Sequence, residues 1–160
     1  MSEEELESDL DKIEEVGHIY HHQFNLDYSR DDLAFLADAQ SSDLSYTASF
    51  FFHEEGKENL SYRHLFYTNQ VFIKPKYRGH RYGIKALAML LQYFAWRETV
   101  CCHPSPIDDM KDKYSEAKGK LLMRKYWSKV GLNKYSKKHN ILWTDEWSMS
   151  DWLREQIFSD

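Results

Sequence analysis

One short stretch of the sequence combines residue types that bind phosphate. Five cations lie within 12 residues with no acid among them: Lys74, Lys76, Arg78, Arg81 and Lys85. Gly79 and Gly83 are spaced so that a turn leads directly into a predicted helix. The first amides of a helix have no intrahelical partners and lie at the positive end of its dipole, so they bind phosphate oxygens. The stretch therefore predicts a site for a polyanion such as pyrophosphate, and a solvated basic turn is the alternative.

Two common phosphate-binding motifs are absent from the sequence. The Gly-Lys-Ser/Thr of a P-loop does not occur, and neither does the G-x-G-x-x-G of dinucleotide-binding folds. The predicted site must therefore bind phosphate with another arrangement of the turn.

The elements on either side of this stretch have the clearest patterns in the chain. Residues 65–73 are aromatic and β-branched and stop before Pro75, which is typical of a strand. From Gly83 to Ala95 apolar residues recur at helical spacing, which predicts a broadly buried helix. A short apolar strand over 99–102 follows.

The rest of the chain predicts further strands and helices. The spacing of Leu44, Ala48 and Phe52 favours a helix over 42–52, although alternation there also fits a strand. The other expected elements are a first helix opened by the capping box Ser2-x-x-Glu5, a strand over 18–26, a helix from Ser29, a polar turn over 53–59, a helix over 115–130 that ends at Gly131, a hairpin over 134–136 and 141–144, and a last helix capped by Ser148-x-x-Asp151. Together they predict one mixed α/β domain.

The central stretch Ile73-Lys-Pro-Lys-Tyr-Arg-Gly-His-Arg-Tyr-Gly83 resembles the signature of the GNAT family of acyl-CoA-dependent N-acyltransferases. That signature is a strand, then V-x-P-x-Y-R-G, then a Q/R-x-x-G-x-G/A turn that opens a helix. Arg81 stands where the family usually has its middle glycine. An arginine there still donates through its backbone, provided that its φ is negative. The P-x-P after residues 101–103 and the run KLLMRKYWSKVGL over 120–132 are similar to later blocks of GNAT-like proteins.

This resemblance covers residues 62–145 best and extends more loosely back to Val16. It implies a mixed α/β GNAT fold, in which a central, mostly antiparallel sheet with splayed central strands is flanked by helices. The implied organisation is an acidic N-terminal helix over 1–15, an acyltransferase domain over 16–147 and a C-terminal helix over 148–160 packed on the domain.

The resemblance also implies a reaction, the transfer of an acetyl group from acetyl-CoA to a primary amine of a small molecule or protein. The backbone of the strand would pair with the pantetheine arm of acetyl-CoA, and the turn would hold its pyrophosphate. The implied cofactor-binding residues are Val71, Phe72, Ile73, Arg78, Gly79, His80, Arg81, Tyr82 and Gly83. The non-catalytic alternative is a GNAT-like module that binds acyl-CoA or a protein partner.

Catalysis by this route needs an acid for the leaving thiolate and a base for the amine. Aligned on Gly131, Trp127 takes the place of the tyrosine that is the acid in many GNAT members, and Tyr126 precedes it. Tyr126 is the candidate catalytic residue, and its alternative is a core residue on the apolar face of its helix. No carboxylate lies between residues 61 and 73, so the base is a water, His64, or an acid of an earlier loop such as Glu54 or Glu55.

Histidines and cysteines do not predict a metal site. A strand places His21 on the face opposite His18 and His22, and His103 adds no conforming ligand spacing. The adjacent Cys101 and Cys102 point to opposite faces of a short strand, so at most one is expected to be buried in the sheet. Structural packing is the favoured role for both, ahead of nucleophilic catalysis.

The charge distribution excludes some partners. The net charge is −5, but the first 15 residues contribute eight acids and one lysine, a balance of −7, so the remainder is +2. A near-neutral body lacks the positive field of a protein that coats nucleic acid. No apolar run reaches the roughly 20 residues of a membrane span, and the start of the chain does not resemble a signal peptide. We expect a cytoplasmic protein with no membrane partner. A homodimer is compatible with this sequence, and the acidic first helix is either a partner contact or simply solvated.

Overall fold

A five-stranded mixed sheet with helices on both faces organises the described part of the chain. The structure is a computed structural model that describes residues 12–27, 30–53, 64–106 and 108–159. The strands are β1 (Gly17–Asn25), β2 (His64–Ile73), β3 (Thr99–Cys102), β4 (Lys134–Ser136) and β5 (Ile141–Thr144). The helices are α1 (Arg30–Gln40), α2 (Ser42–His53), α3 (Tyr82–Phe94), α4 (Asp108–Lys111), α5 (Glu116–Lys129) and α6 (Asp151–Phe158), with a 3₁₀ turn at Pro75–Tyr77. The prediction of a mixed α/β fold is confirmed.

The order of strands across the sheet is β1-β2-β3-β5-β4. The pair β2–β3 is parallel and α3 connects its two strands, whereas the other three pairs are antiparallel. A parallel pair needs such a crossover, because a tight turn cannot return the chain to the same end of the sheet. The start of α3 therefore lies beyond the carboxyl end of β2, where the sequence predicts phosphate binding.

Apolar side chains form one core on each face of the sheet. Leu87 and Leu91 of α3 pack on one face, in a core that also contains Trp127 and Leu153 of α5 and α6. On the other face, helices α1 and α2 pack on the sheet through residues such as Ala48 and Phe51. The helix predicted over 42–52 is confirmed, since α2 buries Leu44, Ala48 and Phe52 along its length.

A β-bulge interrupts β2 at Asn69. Tyr20 pairs with Gln70 and the next residue, His21, pairs with Thr68, so Asn69 is an extra residue in β2. A bulge of this kind shifts the alternation of side chains by one position. As a result Phe66 and Val71, five residues apart, both pack on the α3 face of the sheet.

Both cysteines are fully buried, so the expectation that at most one is buried was wrong. Cys101 lies in the core under α1 and α2, and Cys102 lies in the core under α3. The prediction that the two cysteines point to opposite faces of β3 is confirmed. The extent of burial depends on the helices that pack over both faces of the sheet.

The last helix is capped by Ser150, so the cap predicted at Ser148 was wrong. The hydroxyl of Ser150 accepts a hydrogen bond from the amide of Leu153 at 3.2 Å. Trp147 is held by its amide to the carbonyl of Glu98 at 3.0 Å and by its indole to the carbonyl of Val130 at 2.8 Å. Because Trp147 is held in place by these two hydrogen bonds, the residues that follow it connect it to the last helix. The helix therefore begins only after Ser150.

Two predicted segments lie outside the described residues, namely the helix opened by Ser2-x-x-Glu5 and most of the polar turn over 53–59, with Glu54 and Glu55. Within the described part of the chain, every helix is too short or too polar to cross a bilayer.

Candidate functional site

A cleft opens where β3 ends and β2 continues. The parallel pairing joins Leu65–Thr68 of β2 to Thr99–Cys102 of β3 and stops there. Strand β2 runs on through Asn69–Ile73, and the chain after β3 turns away at His103. The gap between them is a cleft of about 230 Å³ that α5 closes on one side. Its lining consists of Asn69, Gln70, Val71, Phe72, Ile73, Arg78, His103, Ser105, Met123, Tyr126 and Trp127.

The backbone of β2 along this cleft has a partner strand on one edge. Ile73, Phe72 and Val71 pair with Gly17, His18 and Ile19 of β1. On the cleft side, none of the described strands pairs with these three residues. The predicted cofactor-binding segment Val71–Ile73 thus presents peptide groups to the cleft, and an extended ligand with amide groups is suited to pair with them.

The glycine turn lies next to the cleft and is accessible. The chain passes through the 3₁₀ turn Pro75–Tyr77 and enters α3 at Tyr82. Gly79 has φ of +89°, and a Cβ atom there would have no other heavy atom within 4 Å. A second cavity of about 150 Å³ is lined by turn residues and shares Ile73, Arg78 and Tyr126 with the cleft. An anion bound by the turn and a chain bound along β2 are therefore adjacent.

Arg81 adopts the conformation of the glycine that it replaces. Its φ is +60°, so the condition of a negative φ, on which its role as a backbone donor was expected to depend, is not met. The side chain leaves the turn and packs on α6, where Nη1 donates to Oε1 of Gln156 and the guanidinium lies 5.8 Å from the Trp152 ring centre. The side chain of Arg81 thus connects the turn to α6 through its contacts with Gln156 and Trp152.

The basic cluster is partly neutralised by acids that the sequence places far away. Lys76 is paired with Glu14, and Lys74 lies 3.9 Å from a carboxylate oxygen of Glu15. The hydrogen bond from Lys76 lowers the pKa of the Glu14 carboxyl and raises that of the lysine. These pairs are exposed, so each contributes little to stability. They do reduce the positive field at the turn. That field is therefore weaker than the five cations of the local sequence alone indicate.

The remaining residues of the turn lie in different places. The Nε atom of Arg78 donates to the carbonyl of Ile73 at 2.9 Å, which holds this cation at the mouth of the cleft. His80 and Tyr82 are exposed with ring centres 5.4 Å apart. Lys85 lines a groove between α3 and β1 and does not line the cleft. The structure thus gathers Arg78, Gly79 and Gly83 near the cleft and separates Lys85 from them.

Tyr126 lines both the cleft and the turn cavity. Its hydroxyl oxygen is 2.7 Å from the point at which a Cβ atom of Gly83 would lie, so the ring tip reaches the first turn of α3. Burial raises the pKa of its hydroxyl to about 12, and the phenol is therefore neutral at physiological pH. Trp127 touches the cleft but is only 4% exposed and belongs to the core.

His103 lines the cleft. From the sequence it was considered only as a possible metal ligand. Its Nδ1 lies 3.0 Å from the carbonyl oxygen of Asn140, and its Nε2 lies 2.9 Å from the hydroxyl oxygen of Thr47. A carbonyl only accepts, so Nδ1 carries the proton and Nε2 is the basic nitrogen of the neutral ring. Burial lowers the pKa of His103 below its usual value, which favours this neutral form.

A proton at Nε2 of His103 breaks no hydrogen bond. The hydroxyl of Thr47 is also 2.8 Å from the carbonyl oxygen of Asp43. It can donate to Nε2 while the ring is neutral and to Asp43 once Nε2 donates in its turn. Among the described residues that line the cleft, the titratable groups are Arg78, His103 and Tyr126. Only the imidazole of these three accepts a proton near neutral pH.

The other predicted bases and ligands do not reach the cleft. His64 contacts Glu98 at 3.3 Å, at the opposite end of β2. His21 lies near Phe66 on the α3 side of the sheet, whereas His22 stacks on Tyr67 on the other side. Across the described ranges, no three His, Cys, Asp or Glu side chains come together as a metal site.

The fold and the site together define a class of protein. It is a mixed α/β domain in which a parallel strand pair separates into a cleft, and a glycine turn at a helix start lies at one end of that cleft. Comparisons with protein-family models, curated proteins and solved structures found no match. The function must therefore be argued from the site itself.

Proposed function

We propose that this protein is an acyl-CoA-dependent N-acyltransferase of the GNAT type, with the splayed central sheet of that fold, that transfers an acetyl group from acetyl-CoA to a primary amine. The observation that carries the proposal is the continuity of the cleft with the glycine turn. Val71–Ile73 has no described partner strand along the cleft, and Gly79 at its end is surrounded by open space. A ligand that combines an amide-bearing arm with a pyrophosphate has the chemistry to occupy both.

The two parts of acetyl-CoA fit different parts of this surface. The pantetheine arm would pair with Val71–Ile73 as an added strand. The pyrophosphate would take amides of the turn between Gly79 and Gly83, other than that of Arg81, and the charge of Arg78, which lies at the boundary of both cavities. Acetyl-CoA as a substrate is consistent with reaction in the cytoplasm.

The proposed reaction is direct transfer. The nitrogen of a neutral amine attacks the thioester carbonyl, a C–N bond forms, the C–S bond breaks, and coenzyme A leaves as a thiolate. The amine proton passes to water in the cleft, because the single lone pair of the neutral His103 ring, at Nε2, is already directed at the hydroxyl of Thr47. The thiolate finally collects a proton, so the products are the acetamide and free coenzyme A.

Tyr126 serves the leaving group in this proposal mainly as a hydrogen-bond donor. The pKa of its hydroxyl is about 12, above the value of about 8.5 that is usual for a thiol. Full transfer of its proton to the thiolate is therefore unfavourable. A hydrogen bond to the sulfur still stabilises the charge that develops there in the transition state.

Calorimetry with coenzyme A and acetyl-CoA tests the binding step. We expect both to bind, and we expect Arg78→Glu to weaken binding at least 10-fold because it reverses a charge at the mouth of the cleft. Lys125→Glu, on an exposed position of α5 away from the cleft lining, is the matched control and should bind normally. Absence of binding by the unmodified chain would refute the proposal.

Release of free thiol with a panel of primary amines tests the transfer step. We expect Tyr126→Phe to retain acetyl-CoA binding and to lower kcat by roughly 10- to 100-fold, at the low end of acid–base effects. In the active protein, kcat should rise with pH as the acceptor amine loses its proton, and it should do so equally in Tyr126→Phe. Unchanged turnover in Tyr126→Phe would remove this residue from the mechanism.

A specific observation supports a second candidate, a module that binds acyl-CoA without catalysis. No carboxylate occurs in the described lining of the cleft, and Arg81 replaces the family's glycine in a left-handed conformation. Tight binding of acetyl-CoA without thiol release across the whole amine panel would favour this module over the enzyme.

A further inference from the structure

Strand β1 has an outer edge without a described partner and without the usual protection against pairing. It lies at the end of the strand order, and its nine residues GHIYHHQFN contain no Lys, Arg, Asp, Glu or Pro. Monomeric proteins commonly protect an edge strand with charges, prolines or a covering element. A long uncharged edge is a template for another strand.

The helix beside this edge presents an apolar surface. Tyr82, Met89 and Tyr93 share one side of α3, at helical spacing, and are 41%, 47% and 81% exposed. Phe94 is 64% exposed, with its ring centre 6.5 Å from that of His21 on β1. Between α3 and β1 lies a groove of about 600 Å³ lined in part by Ile19, Tyr82 and Met89.

The size of this surface suits a dimer. At about 200 Å² for a fully exposed large side chain, Met89, Tyr93 and Phe94, which lie outside the proposed acetyl-CoA site, expose roughly 380 Å². A standard interface buries about 800 Å² per partner, and the backbone and side chains of a nine-residue edge account for most of the difference. A single small ligand would leave most of this surface in water.

We propose that β1 of one copy pairs antiparallel with β1 of a second copy. A two-fold axis perpendicular to the sheet makes this contact self-complementary. It places both α3 helices on the same side of one ten-stranded sheet. Tyr93, Phe94 and Met89 of the two copies then cover the joined edge strands. The catalytic cleft lies on the opposite edge of β2 and stays open, so this dimer neither requires nor precludes the proposed activity.

Sedimentation velocity of the full chain tests the proposal. We expect a species of twice the 19.2 kDa chain mass between about 1 and 100 µM, a range suited to interfaces of this size. Tyr93→Glu should weaken association at least 10-fold, since it introduces a charge at the centre of the surface. Phe35→Glu on α1, where Phe35 is 74% exposed, is the matched control and should leave the dimer intact.

Hydrogen exchange identifies the pairing element. The amides of β1 should gain protection as the concentration rises into the dimer range, in the unmodified chain and in Phe35→Glu but not in Tyr93→Glu. A monomer throughout the range would overturn the proposal, as would a dimer with unprotected β1. If the monomer shows a shielded groove that deletion of residues 1–11 exposes, the occupant is the chain's own N-terminal segment and the proposal is wrong.

Discussion

Gly83 and Tyr126 compete for one small space between α3 and α5. A Cβ atom on Gly83 would lie 2.7 Å from the hydroxyl oxygen of Tyr126 and 3.2 Å from a methyl carbon of Val71. All three residues belong to the proposed acetyl-CoA site. The glycine is therefore required by close approach, and the ring position of Tyr126 depends on it.

We expect Gly83→Ala to destabilise the protein by about 1 kcal/mol, because the overpacking outweighs the better helix propensity of alanine. In a Tyr126→Phe background the clash with the hydroxyl disappears, so the same change should be near neutral. Urea unfolding of the four proteins measures the coupling. Strictly additive costs would show that Tyr126 does not approach Gly83.

The sequence predicted the residues of the site more fully than their partners. The motif from Ile73 to Gly83 identifies the turn because local spacing determines a turn and a helix start. The pairs Lys76–Glu14 and Lys74–Glu15 join residues about 60 positions apart, and no local pattern reports them. His103 was missed as a cleft residue because its position depends on Thr47 of α2 and on Asn140 in the turn between β4 and β5, both far from it in the sequence.

The connection between β2 and α3 depends on a left-handed residue just before the helix. Arg81 has φ of +60° and is the N-cap of α3, with no side-chain capping bond. A left-handed conformation costs an ordinary residue roughly 1–2 kcal/mol, and glycine avoids that cost. The contacts of Arg81 with Gln156 and Trp152 on α6 offset part of this strain.

A pair of substitutions separates the two effects at Arg81. Arg81→Ala and Arg81→Gly both remove the contact with α6, but only glycine relieves the backbone. We expect the glycine variant to be more stable than the alanine variant by about 1 kcal/mol, after the extra chain entropy of glycine is included. Thermal and urea unfolding measure the difference. An alanine variant at least as stable as the glycine variant would exclude strain at this position.

Elements were predicted well where a periodic pattern of apolar residues spans the whole element. The helix over 42–52 and the strand over 65–73 match α2 and β2 because burial on a sheet imposes their spacing. The bulge at Asn69 was not predictable, since it appears only in the register with β1. The cap at Ser150 was missed because Ser148 has an acid, Asp151, three residues later, as in a capping box, whereas Ser150 has Leu153 at that position.

The molecule as a whole consists of two cores that share one sheet. Cys101 faces the core under α1 and α2, and Cys102 faces the core under α3, α5 and α6. Both sit on β3, the third of five strands, which has a paired strand on each side. Burial raises the pKa of both thiols well above the usual value. Each thiol reacts only when the core that covers it opens, so the two cysteines report on the two cores separately.

Two single-thiol variants, Cys101→Ala and Cys102→Ala, test whether the cores unfold together. The remaining thiol should label only after the helices that cover it separate from the sheet. We expect the labelling free energy to equal the variant's own unfolding free energy from urea, because both helix layers pack on the same central strand and should separate together. A disulfide reagent applied under native conditions measures the rates. If Cys101 labels with a smaller free energy than Cys102, the layer of α1 and α2 opens alone, and the fold is two cooperative units on a common sheet.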